Sequence, residues 1–330
     1  MDIDFVLPWV DGGDPAWQAE RARYAPDGGD GRAVRYREWG TLQYWFRGVD
    51  RFAPWVRRVH FITWGHLPEW LNAREPRLHI VHHEDYIPKE YLPTFSSHPI
   101  ELNMHRIAGL ADHFVYFNDD VFLIAPVTKE DFFKNGLPCD TCRFSAPHAH
   151  APGDVFAHIL LNNTGVVNRH VSYARAKQLH ARKWFSLRNG LKSVTRTRTL
   201  SHWPFFVGFS APHLAVPFEK RTFEDLWRVE AAGLDATCRR RFRTMADISQ
   251  LAARSLQLAL GRFEPRRPLG SPFFVGAEQG AGPAARAIAQ QSFAMICVND
   301  EDTGFDFETE RRRLIAAFET ILPDKCAFER

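Results

Sequence analysis

The segment Asp2–Val10 (DIDFVLPWV) is a strand's length of mostly apolar residues that runs straight into the turn Asp11-Gly12-Gly13-Asp14. Segments of this kind recur as far as Pro138 and alternate with helix-spaced stretches, the pattern of an α/β domain. Val56–Thr63 and Leu78–His82 read as the next strands, and His113–Asn118 as a strand feeding Asp119-Asp120, followed by Val121–Ile124. Between them, Thr41–Phe52 carries Leu42, Trp45, Phe46 and Val49 at helical spacing. A second helix is predicted from Pro99, with Ile100, Met104, Ile107 and Leu110 on one face. Gly28–Gly31 reads as a loop.

Beyond Pro138 the character changes. Residues 139–220 are rich in His, Asn, Arg and aromatic residues and show few long periodic segments. Phe223–Trp227 and Ile248–Leu260 read as helices, and the Gly- and Pro-bearing stretch Pro265–Pro283 as a loop or hinge. Phe293–Val298 is strand-like and ends at Asn299-Asp300-Glu301-Asp302. A last helix carries Leu314, Ile315, Phe318, Ile321 and Leu322 and is stopped by Pro323. The expectation is one catalytic domain, with residues 1–138 as an α/β half and 139–330 as a mixed α/β elaboration that completes the site.

Composition removes several classes of function. With 45% hydrophobic and 25% charged residues, the 330-residue chain can bury a sizeable core and is neither disordered nor a disulfide-stapled scaffold. A net charge of +3 is too mild to argue for nucleic-acid binding. No apolar run approaches the roughly 18 residues a membrane span needs. Met1-Asp2 opens without a basic leader, so a cytoplasmic protein is expected. The five cysteines include one CxxC, Cys139 and Cys142, with no second pair to complete a zinc site, so reduced thiols are expected. On the same reasoning the sequon Asn162-Asn163-Thr164 reads as chance.

The chemistry gathers where strands end. Asn118-Asp119-Asp120 and Asn299-Asp300-Glu301-Asp302 each follow an apolar strand, and in open α/β sheets ligands bind beyond the carboxyl ends of strands. Oxygen ligands there suit Mg²⁺ or Mn²⁺, which can hold a nucleotide diphosphate. Either cluster alone is equally ordinary turn chemistry. Glu101 and His105, four apart on the Pro99 helix, share a face, whether as a site or as a solvated pair. Cys238–Arg243 (CRRRFR) concentrates four arginines that suit phosphate, or a solvated helix face. His213 stands in the loop-like GFSAPHL, a position open to a general base or to a structural histidine. Most tryptophans among the first 70 residues should be core, with one near Asp11 placed to stack on a base or sugar.

Several strings go further. IDFVLPWVDGGDPAW, then YREWGTLQYWFRGVDRFAPWVRRVHFITWGHLPEWLN and FSSHPIELNMHRIAGLADHFVYFNDDVFL, resemble the first two conserved regions of the Stealth family. PHLAVPFEKRTFEDLW with FRTMAD looks like the third region, and ICVNDED like the fourth. The resemblance implies a GT-A-like nucleotide-sugar core. It implies transfer of a sugar 1-phosphate from a UDP-sugar to a glycan hydroxyl, leaving a phosphodiester and releasing UMP. A metal-dependent glycosyltransferase moving the sugar alone, with release of UDP, is the alternative. Residues 1–138 would then bind the nucleotide sugar and 139–330 the acceptor.

Matched residue by residue, the family's important acid falls on Glu101, its metal-linked aspartates on Asp119 and Asp120, and its histidine on His213. Its arginine falls on Arg243, with Arg241 as the rival and Asp247 following. Its fourth-region pair falls on Asn299 and Asp300, and the first region's Trp-Val-Asp on Trp9, Val10 and Asp11, which implies uridine or ribose contacts. The cofactor implied is Mg²⁺ or Mn²⁺. The acceptor implied is a capsular or cell-surface glycan, lipid-linked where the chain works at the inner face of the membrane. The string WGHLPEWLN resembles the bacterial polysaccharide branch.

Overall fold

The computed structural model describes residues 1–25, 37–300 and 304–330. The Gly28–Gly31 loop and the Glu301-Asp302 end of the second acidic cluster lie outside the described residues. In the first half, β1 (Ile3–Pro8), α1 (Pro15–Tyr24), α2 (Leu42–Phe52), β2 (Arg58–Thr63) and β3 (Leu78–His82) are followed by α3 (Ser97–Leu102), β4 (His113–Tyr116), β5 (Val121–Leu123), α4 (Lys129–Phe132), β6 (Phe133–Lys134) and β7 (Leu137–Asp140). The second half contributes α5 (Val155–His170), α6 (Tyr173–Trp184), α7 (Leu191–Leu200), β8 (Val216–Glu219), α8 (Lys220–Cys238) and α9 (Leu251–Ala259). It ends with β9 (Glu264–Pro265), β10 (Gly270–Val275), α10 (Gly282–Ala289), β11 (Met295–Asp300) and α11 (Phe307–Ile321).

The main sheet runs β3-β2-β1-β4-β8, with β1 to β4 parallel and β8 antiparallel at the edge. The mixed α/β class read from the sequence is therefore the class observed. Strand alternation explains how the sheet is covered on both faces. Ile3, Phe5 and Leu7 join one core with α2, α10 and α11, while Val6, Ile62, Phe114 and Tyr116 join a second core with α8 and α9. Asp4 is fully buried on this central strand. It persists there because Arg57 Nε (2.8 Å), His60 Nε2 (2.9 Å) and the Ala111 amide (2.8 Å) surround it. Burial works against its charge, and these bonds overcome that, holding the carboxyl below the usual range.

A second sheet, β10-β11-β5, hooks the end of the chain onto the first half. The α2 helix crosses it so closely that a Cβ on Gly48 would come within 2.8 Å of the Leu123 carbonyl oxygen. This sheet corrects the loop expected over Pro265–Pro283. Gly270 lets the backbones meet, since a Cβ there would lie 1.9 Å from the Met295 oxygen. Pro272 is tolerated because β10 is an edge strand. Residues 139–220, read as poor in periodic structure, hold three helices, of which α6 and α7 are rich in Lys and Arg.

The helix predicted from Pro99 is also corrected. It stops at Leu102, where Asn103 turns its side-chain amide back onto the Pro99 carbonyl (2.8 Å), and Met104–Arg106 continues as a 3₁₀ turn. Glu101 and His105 consequently do not share a face: Glu101 meets Tyr116, and His105 lies against Phe223 of α8.

Candidate active site

Because β1, β2 and β4 are parallel, the segments leaving their carboxyl ends emerge on one edge. Trp9-Val10-Asp11 follows β1, Trp64-Gly65-His66 follows β2, and Asn118-Asp119-Asp120 follows β4. The Asp11 amide donates to His66 Nε2 (2.7 Å), joining the first two. Val10 and Asp11 are half-buried at this edge. Trp9 is buried, stacked on Phe61 at 5.6 Å, and donates from Nε1 to Glu38 (3.2 Å), so its ring belongs to the wall of the site.

A string of hydrogen bonds crosses the floor. The Tyr116 hydroxyl lies between Glu101 Oε1 (2.9 Å) and the Asn118 amide oxygen, and the Asn118 amide nitrogen contacts His213 Nε2. The amide orientation that accepts from Tyr116 presents its N–H₂ to the imidazole, so Nε2 acts as an acceptor. His213 Nε2 then lies 3.7 Å from Asp120 Oδ1. Glu101 and Tyr116 are buried, whereas the His213 side chain is 38% exposed. Burial, with the nearby Glu101 carboxylate, pushes the Tyr116 hydroxyl well above its usual range and keeps it a donor.

Asp120, His213 and Cys297 bring one ligand atom each to within 4.8 Å of one another. Asp120 Oδ1 is buried with no hydrogen-bond partner, while Oδ2 accepts from the Cys297 thiol (3.4 Å). Burial and the facing Asp120 carboxylate push that thiol well above its usual range. An orphaned carboxylate oxygen beside an imidazole fits a divalent cation, whereas a protonated thiol adds little to an oxygen-seeking ion. Strand alternation puts Asn299 on the same face of β11 as Cys297. The Asp120 carbonyl accepts from the Val298 amide (2.9 Å), which fixes β11 against the turn. Asp119 reaches solvent, yet the protein around it, together with Asp120 and Glu38, pushes its carboxyl up to about 7.

Asp300 falls on the other face of β11 and pairs with Arg37 (Nε to Oδ2, 3.2 Å), outside that cluster. The two rival arginines also separate. Arg243 donates to Ser97 Oγ (2.7 Å), at the start of the helix that carries Glu101, whereas Arg241 is exposed and stacks on Tyr24 at 4.6 Å. Their loop is tied to α3 by Asp247, which accepts from His98 Nδ1 (3.1 Å), Arg240 Nη1 (3.0 Å) and both the amide and hydroxyl of Thr244 (2.9 and 2.8 Å).

The family's conserved region 1 matches residues 1–29, and its conserved region 2 matches residues 35–139. Over the full length, the chain is 36% identical to the capsular polysaccharide phosphotransferase WcwK of Streptococcus pneumoniae, across 334 residues that cover 100% of this chain and 99% of that one. The chain belongs to the Stealth family. Two further relatives support the same placement. The exopolysaccharide phosphotransferase cps2G of Lactiplantibacillus plantarum is 35% identical, covering 100% and 97% of the two chains. The receptor polysaccharide phosphotransferase WefC of Streptococcus gordonii is 36% identical, covering 99% and 98%. This Stealth protein is accordingly a transferase. The solved galactosyltransferase LgtC aligns over 96% of both chains, at 11% identity and a TM-score of 0.36, a likeness too distant to build on.

Three residues of the Stealth protein's site escaped sequence reasoning. Tyr116 and Cys297 sit inside strands and read as core, whereas Asn118 is read with its two aspartates as a ligand cluster or as turn chemistry. His66 lies just past β2, and only the parallel pairing of β1 with β2 reveals that it faces Asp11. All five cysteines are free thiols. Among the described residues, no helix is long and apolar enough to cross a membrane.

Proposed function

We propose that this Stealth protein transfers a hexose or N-acetylhexosamine 1-phosphate from a UDP-sugar to a hydroxyl of a capsular or cell-surface glycan. The acceptor oxygen attacks the β-phosphorus, the bond from that phosphorus to the bridging oxygen breaks, and the bridging oxygen leaves with UMP. The observation that supports the reading is the partnerless buried oxygen of Asp120 beside His213, at the carboxyl end of a central parallel strand. The division of labour follows the chain, with residues 1–138 holding the donor and 139–330 completing the site and meeting the acceptor.

Phosphoryl transfer depends on positioning and charge stabilisation more than on covalent chemistry. Asp120 and Asn299, with Asp119 beside them, would hold Mg²⁺ or Mn²⁺, whose charge would offset that of the diphosphate and of the departing UMP. Asp300 would act through Arg37, steadying the end of β11. Val10 and Asp11 would meet the uridine or ribose, with Trp9 as their support. Arg243 would grip the oxygens of the transferred phosphoryl group, and Arg241 the outer edge of the nucleotide side. His213, reachable from solvent, would take the acceptor's proton at Nε2 when the acceptor hydroxyl displaces the Asn118 amide from that lone pair. Buried Glu101 would hold Tyr116, and through it Asn118, so that the imidazole is correctly aimed. A lipid-linked acceptor and a place at the cytoplasmic face of the membrane complete the reading.

Product analysis tests it. The purified chain is incubated with Mg²⁺, a panel of UDP-sugars and a short capsule-type acceptor. UMP release with a phosphodiester signal in the acceptor by ³¹P NMR is expected. UDP release with no phosphorus in the product would mean transfer of the sugar alone and overturn the mechanism.

A further inference from the structure

The modest overall charge hides a strong asymmetry. Between Val155 and Phe218 there are nine Lys and Arg and no Asp or Glu, while the rest of the chain has 33 basic against 39 acidic residues. Some of these cations are neutralised by carboxylates from outside the segment. Arg169 and His170 pair with Glu230 (both at 2.7 Å), and Lys183 pairs with Glu264 (3.3 Å). Among the described residues, no such pair is made by Arg188, Lys192 or the neighbouring Arg267.

Those three cations surround the tip of a helical hairpin. Helices α6 and α7 are joined by the turn Phe185–Gly190. Tyr173 and Lys177, near the start of α6, both donate to the Ser201 carbonyl beyond the end of α7 (2.8 and 2.7 Å). The tip is rigid: Asn189 is fully buried, donates to the Lys183 carbonyl (2.9 Å) and accepts from the Cys142 amide (2.9 Å). This anchoring drives Leu187 and Leu191 outward, leaving them 69% and 72% exposed. Arg267 packs beside them, its Cγ 3.9 Å from where a Cβ on Gly190 would be. Leu187, Arg188, Pro265, Arg266 and Arg267 line an open depression of about 490 Å³.

Single exposed leucines are unremarkable. Two held outward by a buried anchor, ringed by unpaired cations in a segment without one acidic residue, match the requirements of an anionic membrane surface. The cations meet lipid headgroups while short apolar side chains enter the interface. A soluble polyanion would use the cations and have no use for the leucines. We propose that the α6–α7 tip docks this chain on the anionic surface of a lipid bilayer. The proposal refines the peripheral location in the functional reading above and is independent of the transfer chemistry.

The test is flotation of the full chain with vesicles of phosphatidylcholine, with or without about 30% phosphatidylglycerol. Binding to the anionic vesicles alone is expected, with release at about 0.5 M NaCl. The variant Arg188→Gln/Lys192→Gln/Arg267→Gln should bind them about 100-fold more weakly. Leu187→Ser/Leu191→Ser should lose at least about tenfold. Equal binding to neutral vesicles, or a triple variant that binds like the parent, overturns the proposal. So does a soluble phosphodiester glycan that competes in a manner indifferent to the leucine pair, which would make the polyanion the occupant. Melting temperature establishes that the variants fold. Absence of transfer by the parent chain would sink the functional reading and leave the vesicle result standing.

Discussion

Asn118-Asp119-Asp120 and Asn299-Asp300 are strings of the same kind, each closing an apolar strand, yet they meet different surroundings. Asp120 follows the inner strand β4 and keeps one buried oxygen with no hydrogen-bond partner. Asp300 ends β11 with its carboxylate against the guanidinium of Arg37. A third carboxylate, Asp247, lies at the far extreme, with four donors around it. A carboxylate faced by protein donors or by a guanidinium holds the fold together, and one with no arginine or lysine against it is ready for a cation's charge. The neighbours of each carboxylate, more than the string it belongs to, separate the chemical group from the structural one.

Substitutions that probe this gradient should fall in a definite order. Asp120→Asn should cost transfer at least about 10³-fold, because its carboxylate is the one that faces both His213 and Cys297. Asp300→Asn should cost about tenfold or less, since its carboxylate faces Arg37 from the opposite side of β11 to Cys297. UMP release at saturating donor compares the two, and equal losses would break the comparison. His213→Ala should lower kcat by about 10²–10⁴-fold with donor KM little changed. A raised KM at unchanged kcat would make His213 a binding residue instead.

Smaller effects separate the two arginines. Arg243→Lys should cut kcat/KM about 10²-fold, because a point charge cannot reproduce the planar fork, while Arg241→Lys on the Tyr24 side should stay within about threefold. A reversal of that order would move the phosphate contact to Arg241.

Asp247→Asn should act on stability. Removing the charge from this buried network should cost about 3 kcal/mol and lower Tm by roughly 5 °C at pH 7. Burial raises the Asp247 carboxyl, but His98 and Thr244 outweigh it and hold it below its ordinary value. The stabilisation is therefore complete above the unfolded pKa of about 3.9 and fades as pH falls through the lower folded value. Melting curves of parent and variant should converge below about pH 4. A gap undiminished at pH 3 would assign the loss to packing rather than charge.

Much of this was legible in the residues. The strands β1 to β5, α2 and α11 follow from mostly apolar runs and helical spacing, because burial on one or both faces is written directly into such patterns. The carboxyl-end turns carrying Asp11 and Asp120 follow from the same reading. The misreadings have physical causes. Pro272 and Gly270 carry loop chemistry, but an edge strand needs neither the proline's missing N–H nor a side chain at the point of closest approach. The predicted Pro99 helix had its apolar spacing right, and a single side-chain hydrogen bond from Asn103 ended it. Helices α6 and α7 bury narrow faces and carry many Lys and Arg, so their periodicity was diluted by charge, whereas in α5 the polar run Asn162-Asn163-Thr164 interrupts the apolar spacing.

The sequence by itself determined the class of fold, the family and the chemical inventory, since apolar period, motif order and residue type are properties of the chain read in one dimension. Only the tertiary structure decided which members of that inventory meet. Glu101, Tyr116, Asn118 and His213 are joined across as many as 112 positions because β4 and β8 pair side by side, and Asp120 faces Cys297 because β11 returns to β5. Hydrogen bonds and ion pairs act over a few ångströms, and separation along a chain carries no information about them until the sheet has formed.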